Sequence, residues 1–211
     1  MEAMSYAAHQ HSDDPRPTWA GLPVERVLAA YRDGVVSLSR LGAKVVEWGV
    51  RTPCPQWTLL DIGGHVLAIA RYWHRLLNAA LTGEPCTGLP RGAELAMMNG
   101  FDLRALPERR GPARFLAFEA VATRYGERLA DVQWSTPLGE WQGLGAMTVG
   151  DHTLAAVGEW HLHAWDVARS FGWTYRPDDP DVVLAGIREL GEPDPGADPW
   201  SVALIASGRR A

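Results

Sequence analysis

Apolar residues recur at every third or fourth position in four long stretches, and this spacing constrains the fold more than any other feature of the chain. In the first stretch, residues 22–48, the apolar positions run from Val24 through Tyr31 to Trp48. Such spacing places the side chains on one face of an α-helix. We therefore predict a first helix over this stretch, with Pro23 in its first turn.

A second helix is predicted after the break at residues 51–57. Thr58 offers an N-cap hydroxyl, and Asp61, three residues on, resembles a capping box with Asp in place of Glu. The periodic pattern continues to about Leu81 and stops before Gly83.

Two more long helices are predicted in the second half of the chain. The third begins near Pro112 and runs through Leu129. The fourth spans roughly residues 148–171 and ends at Gly172, a residue type that favours the position after a helix.

The remaining segments predict small additions to these helices. Short helical pieces are expected at residues 93–105 and 182–190, the latter followed by a Pro- and Asp-rich tail. The pattern shows neither an internal repeat nor a convincing set of strands. We predict an all-α fold, a four-helix bundle with short additional helices. Residues 1–19 are interpreted as a flexible lead-in, and 20–211 as one domain.

Composition excludes several classes of function. The 211 residues are 46% hydrophobic and carry a net charge of −5, so no basic surface favours nucleic acid or anionic membrane. No apolar stretch approaches the roughly 18 residues of a membrane helix. Cys54 and Cys86 are too few for a disulfide framework. We expect a cytoplasmic protein with free thiols, as a monomer or homodimer.

The fourth helix carries a group of candidate metal ligands. His152, Glu159, His163 and Asp166 fall on one face, and Glu159 and His163 are an i,i+4 pair whose side chains stack on that face. A carboxylate and an imidazole there can share a metal ion. A solvated polar stripe explains the same pattern, and periodicity alone leaves both interpretations open.

The second helix offers a third ligand in His65. His74 lies nine positions later and so points to the opposite side of the helix. A lone histidine on an apolar face is more often a hydrogen-bonded core residue, so His65 counts only in combination. Two imidazoles and one carboxylate with an open position are typical of catalytic zinc, and nickel, iron or manganese also bind such sets.

Other residues are weaker candidates. Asp166 could orient His163 as a hydrogen-bond acceptor behind the metal. Trp57 and Arg71 are predicted to contact a cofactor, and Arg71 or Arg209 could clamp an acidic substrate. His152 and His161 stay outside the predicted ligand set.

Two motifs resemble the mycothiol-dependent maleylpyruvate isomerase family within the DinB-like superfamily. Residues 54–65, CPQWTLLDIGGH, resemble its opening CPxW-x3-DLxxH, and residues 159–168, EWHLHAWDVA, resemble its helix E-x3-H-x-WD-x-A. Smaller similarities lie at Thr136 to Gly139, at Phe171 and Gly172, and at Ser207 to Arg209. The resemblance spans about residues 20–210.

This resemblance implies a DinB-like bundle that binds one divalent metal through His65, Glu159 and His163. It also implies mycothiol as a thiol cosubstrate and a small electrophile as substrate. The maleylpyruvate isomerases carry a further C-terminal domain, whereas about 40 residues follow the fourth helix here. We therefore expect a thiol S-transferase or a cis–trans isomerase. The alternatives are a thiol-independent metalloenzyme, such as a hydrolase or biosynthetic tailoring enzyme, and a non-catalytic metal- or ligand-binding bundle.

Overall fold

Helices dominate the fold of the protein. A computed structural model describes residues 21–54, 57–83, 106–140, 146–187 and 196–209. The four long helices are α1 (Val24–Ala43), α2 (Leu59–Thr82), α3 (Gly111–Arg128) and α4 (Val149–Ser170). Two short helices follow, α5 (Pro180–Ala185) and α6 (Pro199–Ala206), and a 3-10 turn at Leu129–Asp131 extends α3. The predicted all-α bundle is confirmed.

Helices α2 and α4 begin where side chains satisfy their first free backbone amides. At α2, the Thr58 hydroxyl accepts from the Asp61 amide at 3.3 Å, and the Asp61 carboxylate accepts from the Thr58 amide at 2.8 Å. Thr148 and Asp151 form the same reciprocal pair at the start of α4. Both capping boxes therefore fix the starting points of the two helices that carry the predicted ligands.

The first helix is shorter than its pattern predicts. It ends at Ala43, although apolar residues continue to Trp48. Beyond the helix the chain runs beside the start of α2, where the carbonyls of Trp48 and Val50 accept from the amides of Leu60 and Leu59. Val45 is buried and the Trp48 ring packs 5.6 Å from that of Phe115, which is why the apolar spacing continues past the helix end.

A small antiparallel hairpin was missed by the sequence patterns. Strand β1 (Pro137–Glu140) pairs with β2 (Ala146–Thr148), with a register irregularity between Pro137 and Gly139. Strands of three and four residues are too short to show the alternation that identifies a strand. The hairpin leads directly into α4.

The final short helices differ in part from expectation. The helix predicted at 182–190 corresponds to α5, which spans Pro180–Ala185; positions 188–190 lie outside the described residues. The helical piece predicted at 93–105 also lies outside them. Helix α6 was not predicted, because its segment was interpreted as a Pro- and Asp-rich tail. Among the helices described, none is long and apolar enough to cross a membrane.

The core is centred on Trp160 of α4. Trp160 is fully buried, with ring centroids 4.8 Å from Phe118 and 5.4 Å from Trp73. Helix α1 approaches α4 closely at Gly34, where a Cβ would lie 2.9 Å from that of Trp160. Helices α1 and α4 pack extensively, as do α2 and α3, whereas α2 and α4 make far fewer contacts. The looser α2–α4 pair leaves space for a site.

Candidate metal centre

Three side chains from α2 and α4 meet in this space. His65 of α2 and Glu159 and His163 of α4 each offer a ligand atom, and these atoms all lie within 4.8 Å of one another. The Glu159 Oε2 atom is 3.4 Å from His65 Nε2 and 3.3 Å from His163 Nε2. The structure thus brings together the three residues predicted as ligands.

These distances fit a shared cation. Ligand atoms about 2.0–2.1 Å from a tetrahedral zinc ion lie about 3.3 Å from each other. Both measured carboxylate–imidazole separations agree with that spacing. Among the three side chains, the two imidazoles are buried and the Glu159 side chain retains 35% exposure, so the centre is open on the carboxylate side.

A buried carboxylate holds His163 from behind. Its Nδ1 atom lies 2.9 Å from Oδ2 of Asp166, which is fully buried. Because an ionised carboxylate can only accept, the Nδ1 atom carries the proton. Nε2 is then the nitrogen that can offer a lone pair to a cation.

The charges of the centre are mutually stabilised. Burial alone would raise the pKa of Glu159, but hydrogen bonds from His163 and His65 outweigh it and hold that pKa well below its usual range. Burial alone would lower the pKa of His163, but Asp166 and Glu159 raise it. The Glu159 carboxylate is therefore kept ionised beside the two imidazoles, where its oxygen can bind a cation.

An aromatic ring covers the two imidazoles. The Trp57 ring centroid is 4.5 Å from that of His65 and 5.9 Å from that of His163, with the latter pair stacked at 22°. Trp57 precedes the Thr58 cap of α2 and thus lies beside the centre. The contact of Trp57 with a cofactor remains a prediction; the structure places the ring beside the imidazoles of His65 and His163.

Arg71 is engaged at a different place. Its guanidinium donates to both carboxylate oxygens of Glu108, at 3.1 and 2.6 Å. Arg71 and His74 line a cavity of about 300 Å³ together with Leu106 and Val121. The structure gives no contact between Arg71 and the three ligands, so its cofactor role stays a prediction without a contact to support it.

The two other histidines of α4 do not belong to the ligand group. His161 contacts the Ala30 carbonyl at 3.0 Å and the Tyr175 hydroxyl at 2.6 Å, which ties α4 to α1. His152 is fully buried, with its ring centroid 6.1 Å from that of Trp73. Both were left out of the predicted ligands.

Two residues near the centre were not recognised from the sequence as parts of it. Arg209 was considered only as a substrate clamp, yet its guanidinium binds both oxygens of Asp166. Cys54 was considered only as a free thiol. Its pKa is raised to about 11 by burial and then by Asp166, with opposition from Arg209 and a further rise from Glu159, so its thiol lies within the electrostatic influence of the centre. The motif over residues 54–65, which contains both Cys54 and His65, was the sequence signal that could have placed this cysteine near the centre.

The fold and these side chains define a class: a helix bundle with a candidate metal centre of two histidines and one glutamate. The family comparison makes this more specific, because a model of the mycothiol maleylpyruvate isomerase N-terminal domain matches residues 31–168. The match covers well over half of the chain. The chain therefore belongs to this family.

Solved structures support the same fold. The chain is similar to a crystal structure of a mutant of the mycothiol-dependent maleylpyruvate isomerase, with a TM-score of 0.66 and 22% identity over 82% of this chain and 71% of that one. A second structure of that isomerase gives 0.64 and 23% over the same shares. The comparison with curated proteins found no match.

Proposed function

We propose that the protein is a metal-dependent enzyme that uses a low-molecular-weight thiol, mycothiol, to transform a small electrophilic substrate by S-transfer or cis–trans isomerisation. The observation that carries the proposal is the His65–Glu159–His163 group, in which the Glu159 oxygen lies 3.4 and 3.3 Å from the two imidazole nitrogens, a spacing that fits zinc ligands. Family membership supports the thiol.

Each residue of the site would have a distinct role. His65 and His163 would supply neutral nitrogens and Glu159 an ionised oxygen, so a divalent cation bound there would retain positive charge. When bound, such a cation lowers the pKa of a neighbouring thiol and keeps it as thiolate at neutral pH. Asp166 would hold the His163 ring in orientation, and Trp57 would shield the imidazoles from water.

The reaction class follows from what happens after thiol addition. A thiolate that adds to an unsaturated carbon converts a double bond to a single bond, about which the substrate can rotate. Elimination of the same thiol then gives the isomer and returns the thiol unchanged. Departure of a different leaving group gives a thioether and consumes one thiol per turnover.

The experiment follows both substrate and thiol by NMR in one reaction. Purified zinc-loaded protein is mixed with mycothiol and maleylpyruvate, and separately with small alkylating electrophiles. Isomerisation without loss of thiol would assign an isomerase, and a stoichiometric thioether would assign a transferase. Glu159→Gln and His65→Ala should reduce turnover at least 100-fold, whereas His74→Ala on the opposite side of α2 should retain it.

Two results would contradict the proposal. Full activity of the His65→Ala protein would remove the metal from the reaction. Turnover that is independent of added thiol would favour the thiol-independent metalloenzyme.

A further inference from the structure

The end of the chain reaches back to the candidate metal centre. The Arg209 Nε and Nη2 atoms lie 2.9 and 2.6 Å from Oδ1 and Oδ2 of Asp166. The two side chains retain only 10% and 0% of their exposure. The two side chains form a bidentate ion pair that is almost completely buried, and such pairs have a fixed geometry.

The same carboxylate contacts both the arginine and the ligand histidine. Oδ2 of Asp166 accepts from Arg209 and from His163 Nδ1, whereas Oδ1 accepts from Arg209. A carboxylate held at both oxygens cannot rotate about its terminal bond. Arg209 therefore determines how Asp166 presents an acceptor to the His163 ring.

The turn that ends α6 places Arg209 beside Asp166. Helix α6 is anchored by buried Trp200 and Leu204, and it closes with Gly208 at a φ of 77°. The Arg209 amide donates to the Leu204 carbonyl at 2.8 Å, and the Gly208 amide donates to the Ile205 carbonyl at 3.0 Å. This is the hydrogen-bond pattern of a Schellman motif. The turn reverses the chain and directs it back towards α4.

We infer that Arg209 is a positioning residue for the metal centre, acting through Asp166 to fix the orientation of the His163 imidazole. This inference rests on the proposed function, since it requires that His163 bind a metal. It replaces the substrate clamp considered for Arg209, because the guanidinium fork is already occupied by a buried carboxylate.

The test measures zinc affinity by competition with a chromophoric chelator. We expect Arg209→Gln to weaken zinc binding about 10- to 100-fold, the usual effect of removing a partner that orients a ligand. Arg209→Lys should fall between this variant and the wild type, because it keeps the charge but loses the planar fork.

A matched control separates positioning from general loosening of α6. Arg176 makes a similar two-atom contact with Asp198, which caps α6, but both side chains are about half exposed. Arg176→Gln should leave zinc affinity unchanged. Thermal unfolding of the metal-free proteins shows whether each variant is folded.

A spectroscopic signal reports on the imidazole itself. In zinc-loaded, 15N-histidine-labelled wild type, the His163 Nδ1 proton should exchange slowly with water, because it is held by Asp166. In Arg209→Gln it should exchange faster, and in Arg176→Gln it should not change. A purely structural role for Arg209 would leave this proton unaffected in folded protein.

The outcomes separate the inference from the proposed function. If wild type binds no stoichiometric zinc, the proposed function fails and the inference falls with it. If wild type binds zinc and Arg209→Gln binds it equally, with the same proton exchange, only the inference is overturned. Should Arg209→Gln not fold, wild-type affinity and exchange in Arg209→Lys would overturn it.

Discussion

Cys54 lies within the electrostatic influence of the candidate centre, and its raised pKa predicts an unreactive thiol. Burial is the first cause that raises its pKa to about 11, and the neighbouring carboxylates Asp166 and Glu159 add to the effect. Only about one thiol in 10,000 would then be ionised at pH 7. The nucleophilic thiolate of the proposed reaction is therefore expected to come from the cosubstrate rather than from the chain.

The raised pKa of Cys54 predicts that its rate of alkylation is low at pH 7 and continues to rise at high pH. In metal-free Cys86→Ser protein, Cys54 should react with iodoacetamide about 100-fold more slowly at pH 7 than a thiol with a pKa near 9, since the thiolate is the reacting form. Its rate should still be rising tenfold per pH unit at pH 9. A plateau below pH 9, measured by mass spectrometry of the modified protein, would contradict the raised pKa.

Residue spacing could predict only part of the centre. The i,i+4 rule placed Glu159 and His163 together, because both lie on one helix. His65 is 94 positions from Glu159, so its approach depends on helix packing, and the family resemblance was what implied it. Arg209 lies 43 positions from Asp166 in a segment interpreted as a tail, and no local pattern connects them.

At the scale of elements, a single aromatic ring determines how closely α1, α2 and α3 approach. Phe115 of α3 lies between Gly42 of α1 and Gly63 of α2, where added Cβ atoms would come within 2.3 and 2.8 Å of its ring. Gly63 is two residues before His65. The glycines therefore permit the packing that places the α2 ligand.

Gly42→Ala is expected to lower the free energy of unfolding by about 1–3 kcal/mol, the usual cost of overpacking a core. The gain in helix propensity, about 1 kcal/mol at most, offsets part of this. Denaturant unfolding would measure the difference. Gly49→Ala is the control, because nothing lies within 4 Å of its added Cβ, and equal stability of the two variants would contradict the packing argument.

Elements were predicted well where one pattern covers one helix. The capping residues and Gly83 gave the ends of α2, whereas α1 was extended too far because Trp48 packs on Phe115 outside any helix. The hairpin was missed because its strands are too short for an alternating pattern to appear. A tertiary contact that the sequence does not display thus explains the first error, and strand length explains the second.

Across the whole molecule, the proposed metal would link two helices that contact each other far less than α1 and α4 or α2 and α3 do. A ligand that binds only the folded state stabilises it by mass action. Zinc at a thousandfold excess over its dissociation constant would contribute about 4 kcal/mol. For a chain of this length, that corresponds to a rise in Tm of roughly 10 °C.

Calorimetry of metal-free and zinc-loaded protein would measure this rise. His65→Ala should lose it, because the variant retains ligands from α4 alone and no longer connects the two helices. A zinc-dependent rise of equal size in His65→Ala would show that the cation stabilises the protein at another place.

Elemental analysis of purified protein would show whether His65, Glu159 and His163 together bind one divalent metal. We predict one metal ion per wild-type chain and per His74→Ala chain, and less than a tenth of that in His65→Ala, Glu159→Gln and His163→Ala at the same metal concentration. Wild-type protein without stoichiometric metal, or ligand variants that retain it, would contradict the claim.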